Sequence, residues 1–178
     1  MAGSRKVVEQ IATLADWSGS YSPKLDWDTV ERRLGTPFPG DFKEFASRFP
    51  SGLFRGVIRF LNPIQDRDFL DRFKLEFDNS LTLARFLWEE EGAFPPFPEP
   101  GGVIPCGGDV AGGALMWLPR SPDPDEWHVV HLDRDLASGY TITEHTITTA
   151  LLEVMSSKDK RNILGWDLAG EERFFEPF

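Results

Sequence analysis

The chain has 178 residues, of which 40% are hydrophobic and 13% aromatic, and this composition favours one folded domain and excludes a disordered chain. Its formal net charge of −10 opposes nucleic-acid binding, because neutralising phosphates requires a basic surface. The single cysteine, Cys106, excludes an internal disulfide, and no apolar run approaches the roughly 20 residues that span a bilayer. Residues 1–10 show no secretory signal, so we expect a cytoplasmic protein without membrane contact.

The charge is divided unevenly between the two halves of the chain. Residues 1–88 carry 13 Lys/Arg and 12 Asp/Glu, whereas residues 89–178 carry 6 Lys/Arg and 17 Asp/Glu. A basic protein partner would be attracted to the second half and would associate faster at low salt. The alternative is that the acidic surface mainly aids solubility.

Three amphipathic helices are predicted near the N-terminus, because apolar residues recur there at intervals of three or four. Asp26 is placed to cap the second helix, and Gly35 is placed to end it in a left-handed conformation. The third helix carries three phenylalanines on one face, which favours a core position over a ligand pocket. The predicted buried faces are Val7, Ile11 and Leu14; Trp27, Val30 and Leu34; and Phe42, Phe45 and Phe49.

A strand and a long helix are predicted next. Residues 56–61 are typical of a strand that ends at Asn62-Pro63. Residues 68–91 place Phe69, Phe73 and Phe77 at helical spacing, with a break in the helix predicted at Asn79-Ser80. The proline-rich residues 95–100 form an extended connector.

Residues 101–133 predict a meander of three core strands. Apolar runs at 103–106, 113–118 and 127–132 are separated by glycines and by a loop rich in proline and aspartate. In the middle run, Ala114, Met116 and Leu118 face one way, while Leu115 and Trp117 face the other. Because both faces are mostly apolar, we expect the sheet to be covered on both sides.

The chain closes with a strand, a helix and a tail. Tyr140 and Ile142 alternate with threonines as in a strand, and Thr146 is placed to cap a helix that reaches Met155. The tail after Ser156 holds enough apolar residues to dock back on the domain. We therefore predict a single α+β domain over residues 1–178, with a mixed or mostly antiparallel sheet of about five or six strands flanked by N-terminal, central and C-terminal helices.

Residues suited to catalysis do not form a recognisable set. His128 and His131 are three residues apart on a predicted strand, so they point to opposite faces and cannot bind one metal together. Nothing in the sequence pairs with Asp109, and no catalytic signature surrounds Cys106, which favours a buried structural cysteine. We therefore expect neither an enzyme nor a bound metal or cofactor.

Residues 27–45 read WDTVERRLGTPFPGDFKEF, and this segment resembles the N-terminal signature of the SUKH superfamily. The shared features are an aromatic residue and a Glu on one helix, Leu-Gly, a hydrophobic-Pro pair and an acidic-aromatic helix start. The segments GGVIP, ALMW and DPDEW resemble the sheet region of that superfamily, and residues 146–155 resemble its closing helix. The resemblance covers residues 26–155, so the tail of residues 156–178 lies outside its most characteristic part.

The resemblance implies a function in protein binding. The SUKH superfamily includes fungal cell-wall-assembly regulators and bacterial immunity proteins, which bind and neutralise toxins of polymorphic systems. It therefore implies stoichiometric occlusion of a toxin, often a nuclease or deaminase, without catalysis or a cofactor. The acidic second half of the chain agrees with a basic toxin domain of nuclease type. The alternative is a cytoplasmic scaffold or regulator that binds an endogenous protein. We expect a monomer or a weak homodimer.

Acidic residues are concentrated in one stretch of the chain. Positions 89–126 hold eight acidic residues and one basic residue, Arg120. We expect the acidic residues on loops or at a helix end. We hypothesise that they surround the partner-binding surface, anchored by an exposed Trp166 or Trp127. Alternatively, the acids are solvated loop residues and both tryptophans are packed. The eight acids are Glu89, Glu90, Glu91, Glu99, Asp109, Asp123, Asp125 and Glu126.

Overall fold

The computed structural model describes residues 2–135 and 139–178. These residues form five α-helices and seven β-strands, together with a short 3-10 helix at Pro124–Glu126. The helices are α1 Ala2–Leu14, α2 Trp27–Leu34, α3 Gly40–Arg48, α4 Arg67–Glu91 and α5 Ile147–Ser156. The strands are β1 Gly52–Phe54, β2 Ile58–Phe60, β3 Ile104–Asp109, β4 Ala114–Leu118, β5 His128–Leu132, β6 Tyr140–Ile142 and β7 Phe175–Pro177.

The strands form one antiparallel sheet in the order β6-β5-β4-β3-β2-β1-β7. The α+β class is confirmed, but the sheet has seven strands rather than five or six. The segment predicted as one strand at residues 56–61 is the second half of a hairpin, and β1 precedes it. Arg55 and Gly56 form its turn with φ values of 54° and 67°. Strands of three residues, such as β1 and β7, are too short to show an alternating pattern.

Each face of the sheet is covered, as the meander pattern predicts. On the first face, Leu115, Trp117 and Val129 lie in a large core with α1, α2, α3, α5 and the start of α4. On the second face, Met116 and Val130 belong to a smaller core with Ala84 and Leu87 from the C-terminal half of α4. The alternation predicted within β4 is therefore confirmed.

Phenylalanines of α3 form the centre of the first core. Phe42, Phe45 and Phe49 are all 2% exposed or less. The ring of Phe42 meets Trp117 edge-on with centroids 5.1 Å apart, and Phe45 meets Phe60 at 4.7 Å. Edge-to-face pairs of this kind add about 0.5–1.5 kcal/mol each beyond the area they bury. The prediction that these phenylalanines belong to the core is confirmed.

Helix ends follow the predicted capping residues in most places. The Asp26 side chain accepts the N–H of Thr29, and Gly35 ends α2 with a φ of 77°. The predicted break at Asn79-Ser80 is wrong, because α4 continues through both residues for 25 residues in all. Buried apolar residues precede and follow these two polar residues at helical spacing, and their packing stabilises one uninterrupted helix.

The start of α5 is capped by a distant residue. Thr146 occupies the N-cap position, but its side chain does not make the capping hydrogen bond. Asp41, the second residue of α3, accepts the backbone N–H of Thr148 at 3.1 Å and its hydroxyl at 2.8 Å. This contact fixes α3 against α5, although 107 residues separate the two side chains.

The tail docks on the domain, as its apolar residues predict. Ile163, Leu164, Leu168 and Phe175 are buried, and β7 pairs with β1. Arg55, which is 4% exposed, donates hydrogen bonds from its guanidinium to backbone carbonyls of α5 and of the tail. Its carbonyl partners are those of Val154, Met155, Ser157, Leu168 and Glu171.

Within residues 2–135 and 139–178, no helix has both the length and the apolar character needed to cross a membrane.

Candidate partner-binding surface

The candidate acids lie on four separate segments of the chain. Glu89, Glu90 and Glu91 form the last turn of α4, and all three are exposed. Asp123, Asp125 and Glu126 are exposed in the loop between β4 and β5, and Glu99 is exposed in the loop before β3. Asp109 is the exception, since it ends β3 with an exposure of 1%.

Topology separates Asp109 from the loop acids. The turn at residues 109–113 joins the end of β3 to the start of β4, and the loop holding Asp123 leaves the other end of β4. Five strand residues lie between them, a distance of about 16 Å. Glu99 and Glu126 lie at the same end of the sheet, since Ile104 at the start of β3 pairs with Trp117 near the end of β4. The acids therefore do not form one continuous face.

Asp109 has an internal structural role. Its Oδ2 is 2.7 Å from Nε2 of His131, and its Oδ1 accepts the backbone N–H groups of Ala111 and Gly113. Burial alone would raise the pKa of Asp109, but the hydrogen bond from His131 and those from the backbone hold it below its usual value. The expectation that Asp109 belongs to an exposed binding surface is therefore corrected. The strand end was visible in the sequence, but the pairing with His131, 22 positions away, was not.

Two of the loop acids are used as helix caps. The Asp123 side chain accepts the N–H of Asp125 at the start of the 3-10 helix. The Asp125 side chain accepts the N–H of Gly40 at the start of α3. A carboxylate at a helix N-terminus satisfies a free donor and interacts favourably with the helix dipole. Glu126 and Glu99, by contrast, form no ion pair with any described residue.

Neither candidate tryptophan is a fully exposed anchor. Trp127 is 6% exposed, and its indole N–H donates to the carbonyl of Ser121 at 2.8 Å. Trp166 is half-buried and packs against the first core. The expectation of an exposed anchor is therefore wrong for Trp127, and Trp166 presents only part of its surface.

The large apolar side chains that are exposed lie elsewhere. Among the described residues they include Leu75 and Phe86 on α4, with exposures of 62% and 55%. Phe86 lies three and four residues before Glu89 and Glu90, so its side chain is their neighbour on the helix surface. Sequence reasoning missed Phe86. The available signal was its position, since Phe86 falls off the stripe that contains Phe73, Phe77, Ala84 and Leu87.

Groups with catalytic chemistry are engaged inside the fold or with neighbours. Cys106 is 2% exposed, and burial raises the pKa of its thiol well above the usual value. His128 lies 3.3 Å from Glu144, and His145 lies 3.6 Å from Glu153. Among the described residues, no group of three or more His, Cys, Asp or Glu side chains is arranged to hold a metal ion.

The segment that carries the SUKH resemblance has a structural role. The ring of Trp27 packs on Phe38 and Phe42, with centroids 5.6 and 6.0 Å apart. Glu31 accepts the N–H of Phe38 at 2.9 Å and pairs with Lys43 at 2.6 Å. These contacts fix the turn between α2 and α3.

No protein-family model, curated protein or solved structure matches the chain.

Proposed function

We propose that this chain is an immunity-type protein that binds a basic toxin domain and neutralises it by stoichiometric occlusion. The observation that carries the proposal is the set of exposed carboxylates in the second half of the chain. Glu89, Glu90, Glu91, Glu99 and Glu126 are exposed and form no ion pair within the described residues. The resemblance of residues 27–45 to the SUKH signature supports the same function.

Charge provides the physical basis for recognition. Residues 89–178 carry 11 more acids than bases, whereas residues 1–88 are nearly balanced. A toxin domain of nuclease type needs a basic surface to bind phosphates, so an acidic protein can compete for that surface. Complementary charges accelerate association and make it sensitive to ionic strength. Occlusion of this kind requires contact and not a reaction, so we propose no catalytic residue, metal or cofactor.

The proposal predicts that a gene beside that of this chain encodes a basic toxin domain of nuclease type, and the test uses that domain. We expect the two purified proteins to elute as a one-to-one complex in size-exclusion chromatography. We also expect that coexpression of this chain restores the growth of cells that produce the toxin. The complex should weaken between about 50 and 500 mM salt, because exposed charges are screened over a shorter distance. Failure to bind or to protect cells from the toxin would contradict the proposal.

The alternative function, a scaffold or regulator that does not bind the toxin, predicts a different result in the same assay. If this chain leaves the toxin domain free and instead forms a stable complex with a protein of its own cytoplasm, it is a scaffold or regulator. The structure offers no specific observation that favours that alternative.

A further inference from the structure

Among the residues that the structure describes, none covers the outer face of α4. This face comprises Leu75, Asn79, Thr82, Phe86, Glu89 and Glu90, which fall within a narrow angular range on a helix of 3.6 residues per turn. All six residues are exposed, whereas Phe73, Phe77, Ala84 and Leu87 on the opposite side are buried. The face extends about 22 Å along the helix axis.

The last turn of α4 carries negative side chains, whereas positive side chains are favoured at a helix C-terminus. A helix C-terminus carries a partial negative charge, so cations are favoured there and anions are not. The last turn of α4 contains three consecutive glutamates and no basic residue. Elsewhere on the same helix, Glu76 pairs with Arg59 at 3.0 Å and Asp78 pairs with Lys74 at 2.5 Å. Local preferences are often broken at functional sites, and the glutamates break one here.

We infer that the C-terminal part of this outer face is the docking surface for the basic partner, with Phe86 as its apolar anchor and Glu89 and Glu90 as the contacts to lysine or arginine. The inference rests on the proposed function. An exposed phenylalanine beside two glutamates resembles part of an interface, because aromatic residues contribute strongly once water is excluded. The partner surface that fits combines an apolar depression with two or more cations.

The loop acids are less suited to the same task. Asp123 and Asp125 use their carboxylates as caps for the 3-10 helix and for α3. The loop has Trp127 buried beside it and no large apolar residue exposed among its described neighbours. Glu172 and Glu176 serve instead as charge-matched controls, since they are exposed acids of the tail that form no ion pair within the described residues.

The experiment measures, by calorimetry, the binding of a catalytically inactive form of the toxin domain that the proposed function predicts. We expect Phe86→Ala to weaken binding at least about tenfold, and the Glu89→Lys, Glu90→Lys double variant to weaken it by a similar factor. Leu75→Ala, about 16 Å along the helix from Phe86, and the Glu172→Lys, Glu176→Lys double variant should change binding less than about threefold. Melting temperatures of all variants check that each one is folded.

The outcomes separate the inference from the function on which it rests. If the wild-type chain binds and the Phe86 and Glu89/Glu90 variants bind equally well, the docking surface is overturned while the proposed function stands. If the control double variant loses as much affinity as the α4 variant, general charge accounts for binding and the inference is also overturned. If the wild-type chain does not bind the toxin domain, both fail.

Discussion

Asp109 and His131 form a hydrogen bond of 2.7 Å between side chains that are each only 2% exposed. Because Asp109 also accepts two backbone N–H groups of the β3–β4 turn, this carboxylate ties the turn to β5. A buried pair of this kind is most costly when one partner is removed and the other is left without it. The pair is therefore a structural element of the sheet.

We expect Asp109→Ala to lower the free energy of unfolding by about 3–5 kcal/mol at pH 7. Asp109→Asn should cost less, because its carbonyl still accepts the N–H groups of the turn. Urea unfolding curves of both variants measure the two losses. A loss below about 1 kcal/mol in Asp109→Ala would show that the pair contributes little.

The same carboxylate should make stability depend on pH. The pKa of Asp109 is lower in the folded chain, so its contribution is fully present above the ordinary carboxyl pKa of about 3.9. That contribution is lost as the pH falls through the lowered value in the folded protein. The stability difference between the wild type and Asp109→Asn should therefore shrink as the pH is lowered from about 5 towards 3. A difference that stays constant over this range would contradict the assignment.

Gly113 lies next to this pair, and we predict that any larger residue at this position destabilises the fold. A Cβ at this position would collide with the carboxylate of Asp109 and with the imidazole of His131. We expect Gly113→Ala to cost about 1–3 kcal/mol, as overpacking of a core does. Gly3→Ala is the control, because nothing lies within 4 Å of its added Cβ and alanine favours the helix there. Equal melting temperatures for the two variants would contradict the predicted collision.

Arg55 is predicted to hold the tail in place. Its guanidinium donates to the carbonyl of Ser157 at 2.8 Å and to that of Glu171 at 3.2 Å, and no aliphatic residue can replace these bonds. We expect Arg55→Met to cost about 3 kcal/mol or more and to speed proteolysis after Ser157. Arg161→Ala removes a guanidinium whose side chain is 91% exposed, so it should leave the melting temperature nearly unchanged. Unchanged proteolysis in Arg55→Met would show that the apolar contacts alone hold the tail.

Two phenylalanines provide a contrast between core and surface. Phe45 is 2% exposed and Phe86 is 55% exposed. We expect Phe45→Ala to cost about 3–5 kcal/mol, as in other cores, whereas Phe86→Ala should stay within about 0.5 kcal/mol of the wild type. Thermal unfolding compares the two variants directly. A loss of unfolding free energy below about 1 kcal/mol in Phe45→Ala would show that Phe45 does not contribute to the core as predicted.

Regular local patterns made much of the fold predictable. The alternation in β4, the phenylalanines of α3, and the capping residues Asp26 and Gly35 all depend on neighbours close in sequence, and all are confirmed. Features that depend on distant contacts were not predictable. They include the capping of α5 by Asp41 and the pairing of β7 with β1.

The candidate surface was predictable only in part. Composition pointed to the acidic stretch, but it did not distinguish the exposed Glu89–Glu91 from the buried Asp109 or from the capping Asp125. Burial and capping follow from tertiary contacts that no local pattern records. Replacing Asp125 by lysine should therefore lower the melting temperature, because Gly40 at the start of α3 loses the carboxylate that accepts its N–H, while Glu126→Lys should not.

The central claim is that Glu89, Glu90 and Glu91 serve a partner at a cost to the stability of α4. The most direct measurement is the melting temperature of the Glu89→Gln, Glu90→Gln, Glu91→Gln triple variant, with and without the inactive toxin domain. Removing three anions from a helix C-terminus should raise the melting temperature of the free chain by about 2–5 °C, while the increase caused by the toxin domain should become smaller. An unchanged melting temperature together with an undiminished response to the toxin domain would contradict the claim.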